Sequence, residues 1–127
     1  MATDITATGV LTTAGKALLA QIIAGTSTDL PTKMQLGSGS TPAAASDTNL
    51  GTAHASTLLA ATVSVINTTT VQWYKQYTVS TTTTVREVGI KNTAGTLLCR
   101  AVLANDLSMG EGEIYNYYIQ CPIQAGT

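Results

Sequence analysis

The sequence is poor in the side chains that most often carry chemistry. It contains no phenylalanine, one tryptophan and one histidine among 127 residues. Charged residues make up 10% of the chain, whereas about 25% is usual for a globular domain. Threonine takes their place, with 24 residues. Enzymes are rarely so poor in titratable groups, so the composition predicts a single, chemically quiet domain that favours β structure.

The few charges nearly cancel. Six basic and seven acidic residues give a formal net charge of −1. Such a chain produces no field that would recruit a polyanion, because no surface can be dominated by one sign. The balance therefore disfavours nucleic-acid binding through a basic face, and equally an acidic solvating tail.

Targeting and metal-binding signals are also missing. The first residues have no basic region followed by an apolar run, so they do not predict a secretory signal. The longest nearby apolar stretch, residues 17–24, is far shorter than the ~20 residues of a membrane span. Cys99 and Cys121 lie 22 residues apart, without the spacing of a zinc site. We expect a reducing cytoplasm and two buried free thiols, with a disulfide between neighbouring strands as the alternative.

One helix is predicted near the amino terminus. Its signal is an apolar stripe with helical spacing that ends before Gly25, the residue expected in the left-handed position after the helix. Thr12 or Thr13 can supply the N-cap oxygen. The predicted buried stripe consists of Leu11, Ala14, Leu18, Leu19, Ile22 and Ile23.

The rest of the chain shows the two-residue period of strands. Strands are predicted over residues 33–36, 61–66, 71–79, 85–91, 96–103 and 113–123. The loop 92–95 ends in Gly95 and predicts a hairpin closed by Lys91 and Thr96. That register sets three cross-strand pairs, the last of them a surface ion pair of about 0–1 kcal/mol: Ile90 with Leu97, Val88 with Cys99, and Glu87 with Arg100.

Residues 37–57 show neither the apolar spacing of a helix nor the two-residue period of a strand. This segment is rich in Gly, Ser, Thr, Ala and Pro, and a loop of that length inside a compact domain is usually functional.

Because no further helices follow, a parallel α/β sheet is excluded. We predict a mainly β protein over residues 1–127: an antiparallel, jelly-roll-like β-sandwich of about six strands with one N-terminal helix. Residues 1–10 and 37–57 are its candidate extended interface arms.

No segment predicts an active site. The glycines at 37–41 lack the Gly-Lys-Ser/Thr ending of a phosphate loop. His54 has no acid or nucleophile in a recognisable motif, and an exposed loop histidine is favoured. The acids Asp106, Glu111 and Glu113 flank a Gly-rich turn but do not have the spacing of a calcium-binding loop. The aromatics Trp73, Tyr74 and Tyr77 form either a sugar-stacking platform or, more commonly, part of the core and of an interface. We therefore expect no catalytic residue, no cofactor and no metal.

Three stretches resemble small virion proteins of tailed bacteriophages and the amino-terminal modules of their tail fibres. The first is the helix region at residues 5–19, ITATGVLTTAGKALL. The second is the short strand and Gly/Thr/Pro arm at 33–51, beginning KMQLGSGSTPA and ending DTNLG. The third is the hairpin at 86–101, REVGI followed by NTAGTLLCRA. Together they cover roughly half of the chain in the same order.

The resemblance implies a non-enzymatic virion structural protein. The absence of a fibre shaft after the domain favours a capsid decoration (cement) protein that binds the assembled head. The major capsid protein or other virion proteins would then be its partners, with a homotrimer favoured, no nucleic acid and no membrane. A small tail, baseplate or tail-fibre adaptor with host-glycan binding is the alternative. The expected interface residues are Leu36, Ser38, Thr41, Pro42, Leu50, Trp73, Tyr74 and Tyr77.

Overall fold

The computed structural model describes residues 2–123, which form two sheets packed face to face with one helix at their edge. This confirms the predicted mainly β, sandwich-like fold with an N-terminal helix. There are nine strands in this range rather than about six, because the prediction missed β1 and two short edge strands. The elements are β1 (Ala2–Thr8), β2 (Val10–Leu11), α1 (Thr13–Ile23), β3 (Lys33–Gly37), a 3-10 turn (Ala55–Thr57), β4 (Leu59–Ala60), β5 (Thr62–Asn67), β6 (Thr70–Thr78), β7 (Thr83–Lys91), β8 (Leu97–Met109) and β9 (Ile114–Pro122).

The four-stranded sheet has the order β1-β9-β6-β5. Its β1 pairs in parallel with β9, from Ala2 opposite Ile114 to Thr8 opposite Gln120, whereas the other pairs are antiparallel. Residues 2–8 of the candidate N-terminal arm therefore lie along a sheet edge. Met1 and residues 124–127 of the predicted domain lie outside the described residues.

The five-stranded sheet has the order β2-β8-β7-β3-β4 and contains the predicted hairpin as β7 and β8. The predicted register was wrong beyond the loop. Lys91 pairs with Leu97, but Ile90 pairs with Cys99, Val88 with Ala101 and Gly89 with Arg100. Two shifts of one residue account for the difference: Lys91 pairs with Leu97 rather than Thr96 at the loop, and Leu98 is an extra residue of β8 that forms a bulge. The bulge shifts every later pair by one more residue.

The bulge serves the core and the helix together. Leu98 and Cys99 both enter the apolar cluster between the sheets, which a regular strand would not allow for adjacent residues. The Leu98 carbonyl oxygen also accepts a hydrogen bond of 2.9 Å from the Thr12 N–H. The β7–β8 register near Leu98 is therefore coupled to the N-cap of α1.

The helix begins and ends as the sequence predicts. Thr12 is the N-cap, and its hydroxyl oxygen accepts from the Gly15 N–H at 2.8 Å. Gly25 follows the helix with φ of 76°. The predicted buried stripe was wrong at Ile23, which is 87% exposed, because the helix contacts β8 mainly through its first two turns, at Gly15 and Leu18.

Candidate interaction surface

Four of the eight expected interface residues are buried within the domain, three of them in the core between the sheets and Leu50 between segment 38–52 and the outer face of the five-stranded sheet. Leu36, Leu50, Trp73 and Tyr77 are all at most 6% exposed. The Trp73 indole N–H donates to the Pro31 carbonyl oxygen at 2.7 Å. The Tyr77 hydroxyl lies 2.9 Å and 2.8 Å from two carbonyl oxygens, those of Met34 and Thr57. The four side chains are buried, and the indole and phenol groups bond within the domain, so none of the four is available to contact a partner in this structure.

The other four lie on two separate surfaces. Ser38, Thr41 and Pro42 belong to the loop after β3, where Thr41 and Pro42 are exposed and Ser38 is half-buried. Tyr74 is half-buried on the outer face of the four-stranded sheet, the opposite face of β6 from Trp73 and Tyr77. A strand places alternate side chains on opposite faces, so the three neighbouring aromatics do not form one platform.

The loop covers the outer face of the five-stranded sheet. Leu50 lies over Gly89, where an added Cβ would come within 2.7 Å of the leucine Cδ2. Gly37 and Gly39 approach Glu87 in the same way, since a Cβ on either would come within 2.7 Å of Oε2. These glycines permit a close contact between the loop and the strands that a larger residue would block. Segment 38–52 is therefore packed against its own domain along much of its length.

A buried carboxylate holds this loop in place. Glu87 is 0% exposed, and its two oxygens accept from three backbone N–H groups at 2.7–2.8 Å, those of Gly39, Gly51 and Thr52. Its Oε1 also accepts from the Arg100 Nε at 2.8 Å. Burial raises the pKa of the Glu87 carboxyl, but these hydrogen bonds and the guanidinium together bring the pKa below its ordinary value.

The Glu87–Arg100 pair was predicted at the surface, and that prediction was wrong. The two side chains lie on the outer face of the sheet, as strand alternation predicts, but the loop covers that face. Arg100 is 2% exposed and donates a further bond of 3.1 Å from Nη1 to Asp47 in the loop. The pair is therefore the attachment point of the loop rather than a solvated ion pair.

A lysine provides a second attachment point. Lys91 Nζ donates to the Gln35 Oε1 at 2.6 Å and to the Asn49 Oδ1 in the loop at 2.7 Å. Desolvation lowers the pKa of Lys91, and the nearby Glu87 charge partly offsets that effect. Between the two attachment points on Glu87 and Lys91, the tip of the loop at residues 40–42 is exposed. Further along the loop, Ser46, Thr48, Asn49, Gly51 and Thr52 are exposed as well.

The outer face of the four-stranded sheet carries a different surface. The rings of Tyr74 and Tyr118 lie with centroids 4.9 Å apart. Beside them Asn116 accepts from the Tyr74 hydroxyl at 3.1 Å and from Gln76 at 3.0 Å, and donates to Asp4 at 3.0 Å. This face is polar and aromatic, with its amides bonded to one another.

The residues considered for chemistry do not converge. Among residues 2–123 no group of three or more His, Cys, Asp and Glu could hold a metal ion. Glu113 accepts from the Gly110 N–H at 2.7 Å, and Asp106 pairs with Arg86 at 3.2 Å. His54 is half-buried, with Nε2 2.8 Å from the Thr84 carbonyl oxygen. Each of these groups has a local structural partner.

The two cysteines are buried and carry free thiols, in agreement with the favoured prediction. They come from the two sheets, Cys99 from β8 and Cys121 from β9, and both lie in the core between them. The interaction between the two thiols raises the pKa of Cys99, which burial raises further, and it lowers the pKa of Cys121. No helix in the described part of the chain is long and apolar enough to cross a membrane.

Comparison with known proteins gives no relative. No protein-family model, no curated protein and no solved structure matches this chain.

Proposed function

We propose that this protein is a non-enzymatic structural component of a tailed-bacteriophage virion, a decoration protein that binds the assembled head. The virion assignment rests on the resemblance of three sequence segments. The structural observation that supports a binding role is the loop 38–52, which is fixed to the sheet through Glu87 and Lys91 and leaves its tip exposed.

A loop held in this way is suited to adhesion. Because its backbone is already ordered, contact with a partner costs less conformational entropy than the ordering of a free arm. Many copies on one lattice would add weak contacts into a strong attachment. A ligand that binds only the assembled shell stabilises the shell by mass action. Thr41 and Pro42 at the exposed tip are the residues we expect to touch the capsid.

A tail or baseplate adaptor that binds a host glycan is the second candidate. It was expected to show an exposed cluster of three aromatics, but the structure buries Trp73 and Tyr77. The observation that favours it is the Tyr74–Tyr118 pair on the outer sheet face, since aromatic rings beside amides are suited to sugar binding.

Location on the particle tests these proposals. Particles purified from the source culture are labelled with a gold-conjugated antibody to this protein and examined by electron microscopy. Label spread over the head is expected. Label at the tail or its tip would overturn the decoration role and favour the adaptor, and label on no particle would overturn the virion assignment.

A matched pair of variants tests the role of the loop tip. Thr41→Arg changes the exposed tip, and Thr82→Arg makes the same change in the exposed turn between β6 and β7. We expect Thr41→Arg to reduce co-sedimentation with heads at least about tenfold, as expected for a contact near the centre of an interface, while Thr82→Arg binds like the parent. Equal binding by the two variants would contradict the assigned role of the loop.

A further inference from the structure

The edges of the two sheets differ in how well they are protected from pairing with another chain. Among the four edges that the structure describes, β2 and β4 are two residues long and β1 carries Asp4. Short edges and inward or flanking charges are the usual means of blocking edge-to-edge association. The remaining edge strand, β5, has six residues, and no residue from 61 to 70 is charged.

The side chains of β5 are unusually exposed for their chemistry. All six residues of the strand are exposed, including Val63 at 42%, Val65 at 72% and Ile66 at 43%. Among residues 2–123, β5 pairs with β6 on one side only, so in this part of the chain no strand bonds the N–H and C=O groups of its other side. The strand therefore combines an open backbone edge with apolar side chains.

An apolar cavity opens beside this strand. It has a volume of about 390 Å³, lies between α1, the segment before β3 and the inner face of β5 and β6, and is lined in part by Leu19, Ile23, Leu30, Val63 and Trp73. Ile23 and Leu30 at its rim are 87% and 51% exposed. Small-molecule sites carry a few oriented polar groups, but the indole N–H of Trp73 is already bonded to Pro31. The cavity is therefore better suited to apolar protein side chains.

We propose that β5 pairs with β5 of a second copy of this chain in antiparallel orientation, and that the two copies cover each other's cavities. An uncharged strand is self-complementary, since a twofold axis brings it against itself and no like charges meet. Ser64 lies on the axis, Val63 is opposite Val65 of the second copy, and Thr62 is opposite Ile66 of the second copy. This register keeps the valines on the inner face and joins the two four-stranded sheets into one.

The exposed area is of the size that such a dimer needs. We call Ile23, Leu30, Val63 and Val65 the β5 edge patch; Ile66 lies on the outer face of the same strand. The four side chains expose on the order of 400 Å² per copy, within the range of the largest apolar patches on monomers. A standard interface buries about 800 Å² per partner, and the strand backbone with its Ser and Thr side chains supplies the difference.

The mass in solution tests the dimer without any phage particle, so its outcome is independent of the proposed function. Light scattering coupled to size exclusion, from micromolar to submillimolar concentrations, is expected to give twice the 13.1 kDa of one chain. Val65→Lys is expected to raise the dissociation constant at least about a hundredfold, because a charge would be buried without a partner. The control Ala104→Lys introduces the same charge at an exposed position of β8 and leaves the dimer intact.

A second variant tests the register even if Val65→Lys does not fold. Ser64→Cys, oxidised with diamide, is expected to give a disulfide-linked dimer, because the two residues face each other across the axis. Asn105→Cys, exposed on β8, is the control and remains monomeric on a non-reducing gel. A monomer at all concentrations, a trimer, or a dimer that Val65→Lys leaves unchanged would each overturn the proposal.

Discussion

Replacement of Glu87 by glutamine is the most direct test of how the loop is held. Glutamine has nearly the same shape, but it keeps one acceptor oxygen and turns an NH₂ group toward two of the four donors that face the carboxylate. Arg100, at 2% exposure, would retain only Asp47 as a negatively charged partner, and the Asp47 side chain is 22% exposed. The change therefore leaves a buried cation poorly compensated and buried N–H groups without acceptors.

The expected loss is large compared with the stability of a domain. Removing one member of a buried ion pair costs about 3–5 kcal/mol, and folded domains are stable by about 5–15 kcal/mol. We expect Glu87→Gln to lower the free energy of unfolding by about 3–5 kcal/mol. With a urea m-value of about 2 kcal/mol/M, the midpoint would fall by about 2 M.

Equilibrium urea unfolding, followed by tryptophan fluorescence from the buried Trp73, measures this loss. Asp106→Asn is the control, because the Arg86–Asp106 pair is exposed, with side-chain exposures of 26% and 67%. It should cost about 0–1 kcal/mol. Arg100→Met should cost less than Glu87→Gln, since Glu87 keeps its three backbone donors. A loss below about 1 kcal/mol for Glu87→Gln, or a larger loss for Arg100→Met, would refute the assigned role of the carboxylate.

Three further predictions follow from the same structure. Because folding lowers the pKa of Glu87, the stabilisation from its carboxylate is complete above the unfolded-state pKa of about 4.3 and is lost as pH falls toward the lower folded value. Thermal unfolding from pH 7 to pH 3 should show this decline in stability, with a smaller slope against pH in Glu87→Gln. Equal slopes for the parent and the variant would contradict the prediction. Gly15→Ala should destabilise by about 1–3 kcal/mol in urea despite the better helix propensity of alanine, because its Cβ would lie 2.5 Å from the Leu98 carbonyl oxygen; a gain in stability would show that the contact relaxes. Thr12→Ala should cost about 0.5–2 kcal/mol through the lost N-cap, measured by the same unfolding experiment, whereas the exposed Thr13→Ala should change little, and equal costs would argue against the cap.

The local elements could be predicted because their signals are local. The apolar spacing, the Thr12 cap and Gly25 define the helix within a few residues, and the two-residue period defines β3 and β5 to β9. The strand β1 was missed because its pairing with β9 joins residues 112 positions apart, as in Ala2 with Ile114. Hairpin signals cannot show such a parallel edge pair.

The candidate site depended more on the tertiary structure. Alternation placed Glu87 and Arg100 together on the outer face, but it could not show that the loop covers that face. The signal available in the sequence was the set of glycines at 37, 39 and 89, whose missing side chains make room for the close contact. Likewise, the uncharged run from 61 to 70 was visible, but its meaning required the finding that β5 lies at a sheet edge.

The sequence by itself determined where the helix, most of the strands and the hairpin loop lie, since caps, turns and periodicity act over a few residues. Only the tertiary structure decided which surfaces are buried, because burial depends on segments that are distant in the chain. It placed Trp73 and Tyr77 in the core, shifted the β7–β8 register at Leu98, and covered an ion pair of one sheet with a loop. It also left one uncharged edge strand open.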